Sequence, residues 1–176
     1  AITYPLYRIA GGILDFQKLL SLGLPGLKAT AEKKYSKARP GSEEAGVYEG
    51  MLLCLETLRG IMGIYEKRAA QKADLIGQRE DTPENRSAFL RMKAIQEAMA
   101  SIQSKRPEHL LEAAELFWMY VLVSEVRNYG RIDSYLGRFY ADDIDSGYLM
   151  QEEADAIIQK LWERMGKRRT ITDGRI

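Results

Sequence analysis

Residues 110–126, which read LLEAAELFWMYVLVSEV, constrain the fold of this chain more than any other stretch. On a helix, this segment has apolar side chains on nearly every side, so it has no continuous polar face to turn toward water. Such a helix must be enclosed by protein. A chain of 176 residues is long enough to bury one helix of this kind. A larger structure would cover it more easily.

The rest of the chain is also predicted to be helical, which makes the fold class all-α. The stretch DTPEN, residues 81–85, is a clear helix start, with Thr82 or Asp81 as the cap and Pro83 in the first turn. We expect one mostly helical segment over 1–176. Its parts are short helices in 1–40, the first stopping near Gly23 and the second starting around Pro25, a long helix in 43–78, a helix in 82–105, the enclosed helix in 107–127, a turn and short helix in 128–147, a helix in 150–165, and a strand-like tail in 167–176.

The long helix carries apolar residues at every third or fourth position, which predicts a buried stripe. The stripe consists of Val47, Met51, Cys54 or Leu55, Leu58, Ile61 or Met62, and Tyr65. In this position Cys54 is expected to behave as a small apolar side chain rather than a reactive thiol. Four glycines, Gly46, Gly50, Gly60 and Gly63, interrupt the same helix. They indicate either the close approach of other backbones or simply an imperfect helix.

Composition excludes several classes of protein. The formal net charge of +1 gives no field that would steer the chain to nucleic acid or to an anionic membrane. The apolar run LFWMYVLV is far shorter than the roughly 20 residues that a membrane helix needs. The single cysteine excludes an intrachain disulfide, so we expect a cytoplasmic location. One cysteine and one histidine also argue against a zinc site.

The acidic segment DDIDSG, followed by Glu153, resembles a calcium-binding loop only at first sight. With Gly147 at the sixth position of such a loop, Asp142 would be the first ligand and Glu153 the twelfth. The third position is then Ile144, which has no oxygen to offer. We therefore interpret the segment as a solvated loop that starts the next helix, and expect no metal.

Two further features, a histidine and a basic run, are best explained as ordinary surface residues. His109 lies at a helix start and has no cysteine or serine at a spacing typical of catalysis, so we interpret it as a surface or capping histidine. The run KRRT, residues 167–170, could bind phosphate. It lacks the interleaved aromatic residues of a nucleic-acid surface, and isolated basic runs are usually solvated.

The segment NYGRID, residues 128–133, is the strongest candidate site. It follows the enclosed helix and places an amide, a phenol, a guanidinium and a carboxylate within six residues. A charge beside a buried element must be paired or must serve a site. Two interpretations remain open: an Arg131–Asp133 pair that only fixes the loop, or one wall of a pocket.

Four stretches, in their order along the chain, resemble the glycyl radical enzyme superfamily of pyruvate formate-lyase and its dehydratase and decarboxylase relatives. They are LDFQKLLSLGLPGLKATAEKK, VYEGMLLCLETLRGIMGIYEKRAA, RPEHLLEAAELFWMYVLVSEVRNYGRIDSYLGRFYADDI and SGYLMQEEADAIIQKLWERM. Together they cover nearly the whole chain. The resemblance implies that the chain is an internal helical segment belonging to the ten-stranded α/β barrel of such an enzyme.

The resemblance also implies a role for the turn as pocket lining and support, through Asn128, Tyr129, Gly130, Arg131, Ile132 and Asp133. Tyr129 and Ile132 are candidates to face the substrate, whereas Arg131 and Asp133 would fix the turn. Dehydratase-type relatives commonly have Gly-Arg-Phe-Asp-Gln-Tyr where this chain has GRIDSY, so the pattern is nearer the dehydratase and decarboxylase branch. Because Ile132 stands where those relatives have phenylalanine, the identity of their substrates cannot be assigned to this chain.

Two motifs of the resembled family, the thiyl cysteine loop and the radical glycine segment, do not occur in this sequence. The resemblance therefore implies no catalytic residue and no cofactor held by this chain, and we expect the isolated chain to be inactive. The parent would carry a glycyl radical installed by an activating enzyme that uses S-adenosylmethionine and an iron–sulfur cluster, under anaerobic conditions.

The implied parent reaction is radical elimination of water, a related carbon–heteroatom or carbon–carbon cleavage, or acyl transfer of the pyruvate formate-lyase kind. Its expected partners are a small-molecule substrate, the activating enzyme and a second copy of the parent. The alternative, from another class, is a free-standing, non-catalytic helical module for protein interaction.

Overall fold

The structure is a computed structural model that describes residues 14–124, 126 and 128–168. Within these residues it consists of helices and contains no strand. The helices are α1 (Phe16–Tyr35), α2 (Glu43–Gly77), α3 (Pro83–Ile102), α4 (Leu110–Ser124), α5 (Ile132–Asp145) and α6 (Gln151–Lys167). None of the described helices combines the length and apolar character needed to cross a membrane.

The helices α1 to α5 lie inside the segments expected from sequence, and α6 runs two residues past the expected end at 165. The strand-like tail was predicted over 167–176; Lys167 ends α6, and 169–176 lie outside the described residues. The described residues group into two compact units, and the single segment over 1–176 stays a prediction. One, the α4–α6 unit, comprises the described residues of 108–168 with 14–17, and the other, the α2–α3 unit, comprises 18–107.

Two capped helices, α2 and α3, form most of the α2–α3 unit, which also contains residues 18–35 of α1. The Ser42 hydroxyl accepts a hydrogen bond from the Ala45 N–H at 3.2 Å, and the Thr82 hydroxyl accepts one from the Asn85 N–H at 3.2 Å. Each satisfies an N–H that the helix itself leaves without an acceptor. Thr82 is therefore the cap that DTPEN predicted. The helices pack along one side, where α2 buries Leu58, Met62, Ala69, Ala73 and Ile76 and α3 buries Ala98, Met99 and Ile102.

The predicted buried stripe of α2 is wrong over much of its length. Leu58 and Met62 are buried, but Val47, Met51, Cys54 and Tyr65 are exposed. The reason is length: α2 has 35 residues and α3 has 20, or about 52 Å against about 30 Å at the usual helical rise. The first turns of α2, which carry Val47, Met51 and Cys54, extend past the end of α3. The prediction that Cys54 is a buried apolar side chain is wrong for the same reason. Length does not explain Tyr65, which lies next to Glu66, a hydrogen-bond partner of Gln103 at the end of α3.

The glycines of α2 do not meet other backbones within the described chain. A Cβ atom added at Gly46, Gly50 or Gly60 would have nothing within 4 Å, and one at Gly63 would meet only the Gln103 Oε1 atom at 3.3 Å. The close approach considered for these glycines is therefore not seen here.

Gly23 interrupts α1 with a non-helical conformation, φ 62° and ψ −178°. A Cβ atom there would lie 2.6 Å from the Cα atom of Arg106, so both the backbone conformation and the space require glycine. This interruption lies at the expected stop near Gly23, just before the expected restart at Pro25.

Helix α4 is the enclosed element of the α4–α6 unit. Both α5 and α6 pack against it. Along 15 residues its buried positions point in several directions rather than along one stripe. These positions are Leu110, Ala113, Ala114, Glu115, Leu116, Phe117, Met119 and Val121. The candidate turn follows the end of this helix.

Candidate functional site

The turn at 128–133 has a defined local geometry. The Asn128 side-chain oxygen accepts a hydrogen bond from the Gly130 N–H at 3.1 Å. Gly130 adopts φ 62°, a left-handed conformation that glycine enters without strain. Helix α5 then begins at Ile132. A side-chain hydrogen bond and one glycine in a left-handed conformation therefore shape the chain just before α5.

Arg131 and Asp133 form a bidentate pair on this turn. Arg131 Nε donates to Asp133 Oδ1 at 2.9 Å, and Nη2 donates to Oδ2 at 2.5 Å. The hydrogen bond from Arg131 lowers the pKa of the Asp133 carboxyl, and Asp133 in turn raises the pKa of Arg131. The side chains are 81% and 66% exposed. Solvent therefore screens the pair, so that it contributes little to the stability of the fold.

Tyr129 is held from three sides. Its ring meets Phe117 edge-on with a centroid distance of 5.9 Å. Its carbonyl accepts a hydrogen bond from the Tyr135 hydroxyl at 2.8 Å, and its own hydroxyl oxygen accepts one from Arg168 Nη1 at 3.2 Å. Because that oxygen accepts from Arg168, the phenolic hydrogen must point in another direction. Tyr129 and Ile132, the two side chains proposed to face substrate, are both half-buried.

An aromatic cluster underlies the turn. Phe16, Phe117 and Tyr135 lie within centroid distances of 4.8 to 5.6 Å of one another. Burial raises the pKa of Tyr135, and the nearby Asp133 and Tyr129 add to that effect. The Tyr135 hydroxyl thus stays protonated and donates to the turn. Close-packed rings and this hydrogen bond limit how far Tyr129 can move.

Arg168 joins the end of α6 to the end of α4. Its Nη2 donates to the Val121 carbonyl at 2.9 Å, and its Nη1 donates to the Val126 carbonyl. Val121 lies in the last turn of α4, where carbonyls lack helical partners, and Val126 lies just beyond the helix. The sequence showed Arg168 only as part of a basic run, because its acceptors lie 39 to 47 residues away. In the structure its guanidinium is engaged with protein acceptors rather than presented as a phosphate site.

Asp143 and His109 form a second polar cluster, which sequence reasoning missed. Asp143, 2% exposed, accepts from the Leu110 N–H at 2.7 Å through Oδ2 and lies 2.8 Å from His109 Nδ1 through Oδ1. The His109 ring stacks on Tyr148 at a centroid distance of 3.5 Å. Asp143 therefore caps α4 from α5, and His109 supports that cap. Four neighbouring residues, DDID, carry three aspartates, and only the fold distinguishes the one that is buried.

The segment after Asp143 is a helix stop. The Tyr148 N–H donates to the Asp143 carbonyl at 2.9 Å and the Gly147 N–H to the Ile144 carbonyl at 3.0 Å, while Gly147 adopts φ 73°. This is the Schellman arrangement of a C-terminus. Among the described residues, no group of three or more His, Cys, Asp or Glu side chains is arranged to hold a metal.

Glu115 and Arg164 connect α4 to α6 inside the unit, and no sequence signal identified them. Arg164 Nη1 donates to Glu115 Oε1 at 2.7 Å. The Glu115 side chain is 4% exposed and that of Arg164 is 34% exposed. Burial raises the pKa of Glu115, and the attraction of Arg164 opposes that shift. The two residues are 49 positions apart, so no local spacing could have paired them.

Comparison with known protein families decides the relationship of this chain. The family model described as pyruvate formate lyase-like matches residues 3–176, nearly the whole sequence. The chain belongs to the pyruvate formate lyase-like family. The resemblance inferred from the four sequence stretches is thereby confirmed, and the similar proteins carry dehydratase and lyase names.

Curated relatives of this pyruvate formate lyase-like chain are much longer than it is. An isethionate sulfite-lyase of Oleidesulfovibrio alaskensis is 26% identical over 87% of this chain and 19% of the relative. A (2S)-3-sulfopropanediol dehydratase of Klebsiella oxytoca is 24% identical over 96% of this chain and 21% of the relative. The chain therefore spans about a fifth of the length of these relatives.

Solved structures support the fold. A B12-independent glycerol dehydratase from Clostridium butyricum superimposes with a TM-score of 0.76 at 17% identity, over 93% of this chain and 21% of the other. A structure concerning 1,2-propanediol dehydration in Roseburia inulinivorans gives 0.73 at 21% identity, over 91% and 20%. At these identities the likeness establishes the arrangement of helices and nothing about substrate.

Proposed function

We propose that this chain is an internal part of a glycyl radical enzyme and that its turn at 128–133 forms one wall of the substrate pocket. The observation that carries the proposal is the family match along 3–176, together with relatives named as lyases and dehydratases. Their names favour radical elimination from a small substrate, with carbon–carbon cleavage as the neighbouring possibility. The turn places an amide, a phenol, a guanidinium and a carboxylate within six residues.

In this proposal the chain contributes positioning rather than hydrogen abstraction. The glycyl radical, carried elsewhere in the parent and installed by an S-adenosylmethionine-dependent iron–sulfur enzyme, supplies the abstraction chemistry. Here, Arg131 and Asp133 orient the turn, while Arg168 and the aromatic cluster hold Tyr129 in place. Tyr129, whose hydrogen points away from Arg168, and the apolar Ile132 would face the substrate.

The same proposal places the helices α1 to α6 on the ten-stranded α/β barrel of the parent, in an anaerobic cytoplasm. Its partners are the small substrate, the activating enzyme and a second copy of the parent. The exposed apolar side chains of α2 fit a chain that belongs to a larger protein better than they fit a free-standing helical module.

The test is anaerobic activation of the protein encoded by the complete gene. We expect a glycyl radical signal in electron paramagnetic resonance and turnover of at least one of isethionate, (2S)-3-sulfopropanediol, 1,2-propanediol and glycerol, which are the compounds named for the similar proteins. The 176-residue chain alone should give neither. A radical signal and turnover from this chain alone would contradict the proposal, as would their absence from the activated complete protein.

A further inference from the structure

One face of α2 carries apolar side chains that no described part of the chain covers. Val47 is 55% exposed, Met51 49% and Ile64 51%. We name this surface the open face of α2, and its members are Gly46, Val47, Gly50, Met51, Cys54, Ile61, Ile64 and Tyr65. Only Ile61 among them is half-buried; the others are exposed. These positions recur at intervals of three, four or seven residues, so they share one side of α2 rather than being scattered around it.

The open face contains no charge. Between Gly46 and Tyr65 the charged residues of α2 are Glu49, Glu56 and Arg59, and all three line the groove between α1 and α2. There they meet Lys28, whose Nζ atom lies 4.0 Å from Glu56 Oε2. The opposite side of the helix therefore carries no charge over about 28 Å, from the usual rise per residue. A helical face of this length without charge is typical of one covered by protein.

Two glycines on the open face leave room for a partner. Gly46 and Gly50 are one turn apart, and a Cβ atom at either would have nothing within 4 Å. Glycine inside a helix is less favourable than alanine, so an open helix would gain stability from alanine at these positions. A partner whose backbone approaches closely would reverse that preference, because a methyl group would then collide with it.

We infer that the open face of α2 is the docking surface for an apolar segment of the same, longer pyruvate formate lyase-like polypeptide. The inference rests on the proposed function, in which this chain is an internal part of such a protein. The relatives supply the reason for choosing this occupant: about four-fifths of their length has no counterpart here, since the matches cover 19% and 21% of them. A charge-free surface fits a permanent intramolecular contact, whereas transient interfaces are more polar.

The first test measures alkylation of Cys54 in the complete protein by iodoacetamide, followed by peptide mass spectrometry. The control is a Lys67→Cys variant, since Lys67 is exposed on a polar part of α2. We expect Cys54 to react about 100-fold more slowly than the control in the native state and at the same rate in urea, as protection by packing requires. Native reaction within about threefold of the control would overturn the inference.

The same experiment distinguishes a second copy of the protein bound to the open face from a segment of the same polypeptide bound there. If Cys54 protection disappears on dilution while light scattering shows the particle halving, the face is an interface between copies and the inference is wrong. Protection that persists in the dissociated protein supports it. Neither arm needs a radical or turnover, so failure of the proposed reaction would be seen separately.

The second test uses the sign of a change in melting temperature. Gly50→Ala should lower the melting temperature of the complete protein, because the methyl group meets the docked segment. The matched control is Gly137→Ala in α5, where a Cβ atom also has nothing within 4 Å in this chain; it should leave the melting temperature unchanged or raise it. A rise with Gly50→Ala equal to that of the control would contradict docking.

Discussion

Two charged pairs in the α4–α6 unit have similar distances and opposite surroundings. Arg131 Nη2 and Asp133 Oδ2 are 2.5 Å apart on an exposed turn. Arg164 Nη1 and Glu115 Oε1 are 2.7 Å apart, with Glu115 almost wholly buried. Water and salt screen the first pair, so it contributes little to folding. The second cannot lose a partner without leaving a buried charge. Burial, not distance, decides which pair the fold depends on.

The largest effect should come from removing Arg164. In an Arg164→Met variant, Glu115 stays buried without its partner, and loss of one member of a buried pair costs about 3 kcal/mol or more. Because Arg164 is 34% exposed, we expect the lower end of that range, about 3 kcal/mol in the free energy of unfolding. Urea unfolding at pH 8 followed by circular dichroism measures it.

The pH dependence of the Arg164→Met variant shows whether its loss of stability comes from the buried charge of Glu115. Burial raises the pKa of Glu115 above its unfolded value, and loss of Arg164 raises it further. Stability from such a group is present below the unfolded pKa and is lost as pH rises through the folded pKa. The deficit of Arg164→Met should therefore be smaller at pH 5 than at pH 8. The matched control, Glu115→Gln with Arg164→Met, should show no such slope. An equal deficit at both pH values would indicate lost packing instead.

Asp143→Ala should have the next largest effect. The substitution leaves the Leu110 N–H without its acceptor and His109 Nδ1 without the carboxylate, and a buried unsatisfied group costs about 1–3 kcal/mol. We expect about 2 kcal/mol in urea unfolding. Asp142→Ala is the control, because Asp142 pairs with Arg138 and both side chains are exposed. Equal losses in the two variants would show that the cap from Asp143 does not stabilise α4.

Gly147→Ala should cost less, since the problem there is backbone conformation alone. Gly147 has φ 73° and open space around the position of a Cβ atom. An L-residue pays about 1 kcal/mol to adopt this conformation. Gly147→Asn, which tolerates left-handed backbone better, should lose less than the alanine variant in thermal unfolding. The helix stop would not depend on this conformation if alanine and asparagine had the same effect.

Features that depend on residues close together in sequence were predicted, whereas features that depend on distant residues were missed. Thr82 and Gly23 were predicted because a cap and a break act within a few residues. The enclosure of α4 was predicted because nearly every position of it is apolar. The buried stripe of α2 was predicted only in part, since periodicity within α2 does not show how far α3 extends along it. Glu115 with Arg164 was also missed, because only the fold brings α4 and α6 together.

The turn is intermediate between these cases. Its residues were selected by their chemistry, and the bond from Asn128 to Gly130 and the Arg131–Asp133 pair are local enough to be anticipated. The support beneath it was not anticipated, because Arg168 and Phe16 come from distant parts of the chain. The pocket role of the turn remains a prediction that activity alone can test.

The smallest effect on folding should come from the exposed pair, and this prediction separates stability from function. Arg131→Met and Asp133→Asn should leave the urea midpoint of the complete protein unchanged, because solvent already screens the pair. If the turn forms a pocket wall, both should lower kcat/KM about tenfold or more, since misplacing a binding group by about 1 Å is sufficient for such losses.

Arg138→Met is the control: Arg138 on α5 pairs with Asp142, and its side chain is 85% exposed. Loss of activity in the turn variants but not in the control would give the exposed pair a functional reason for its geometry. Unchanged kcat/KM in all three variants would mean that the Arg131–Asp133 pair only holds the loop and that the turn is not part of the pocket.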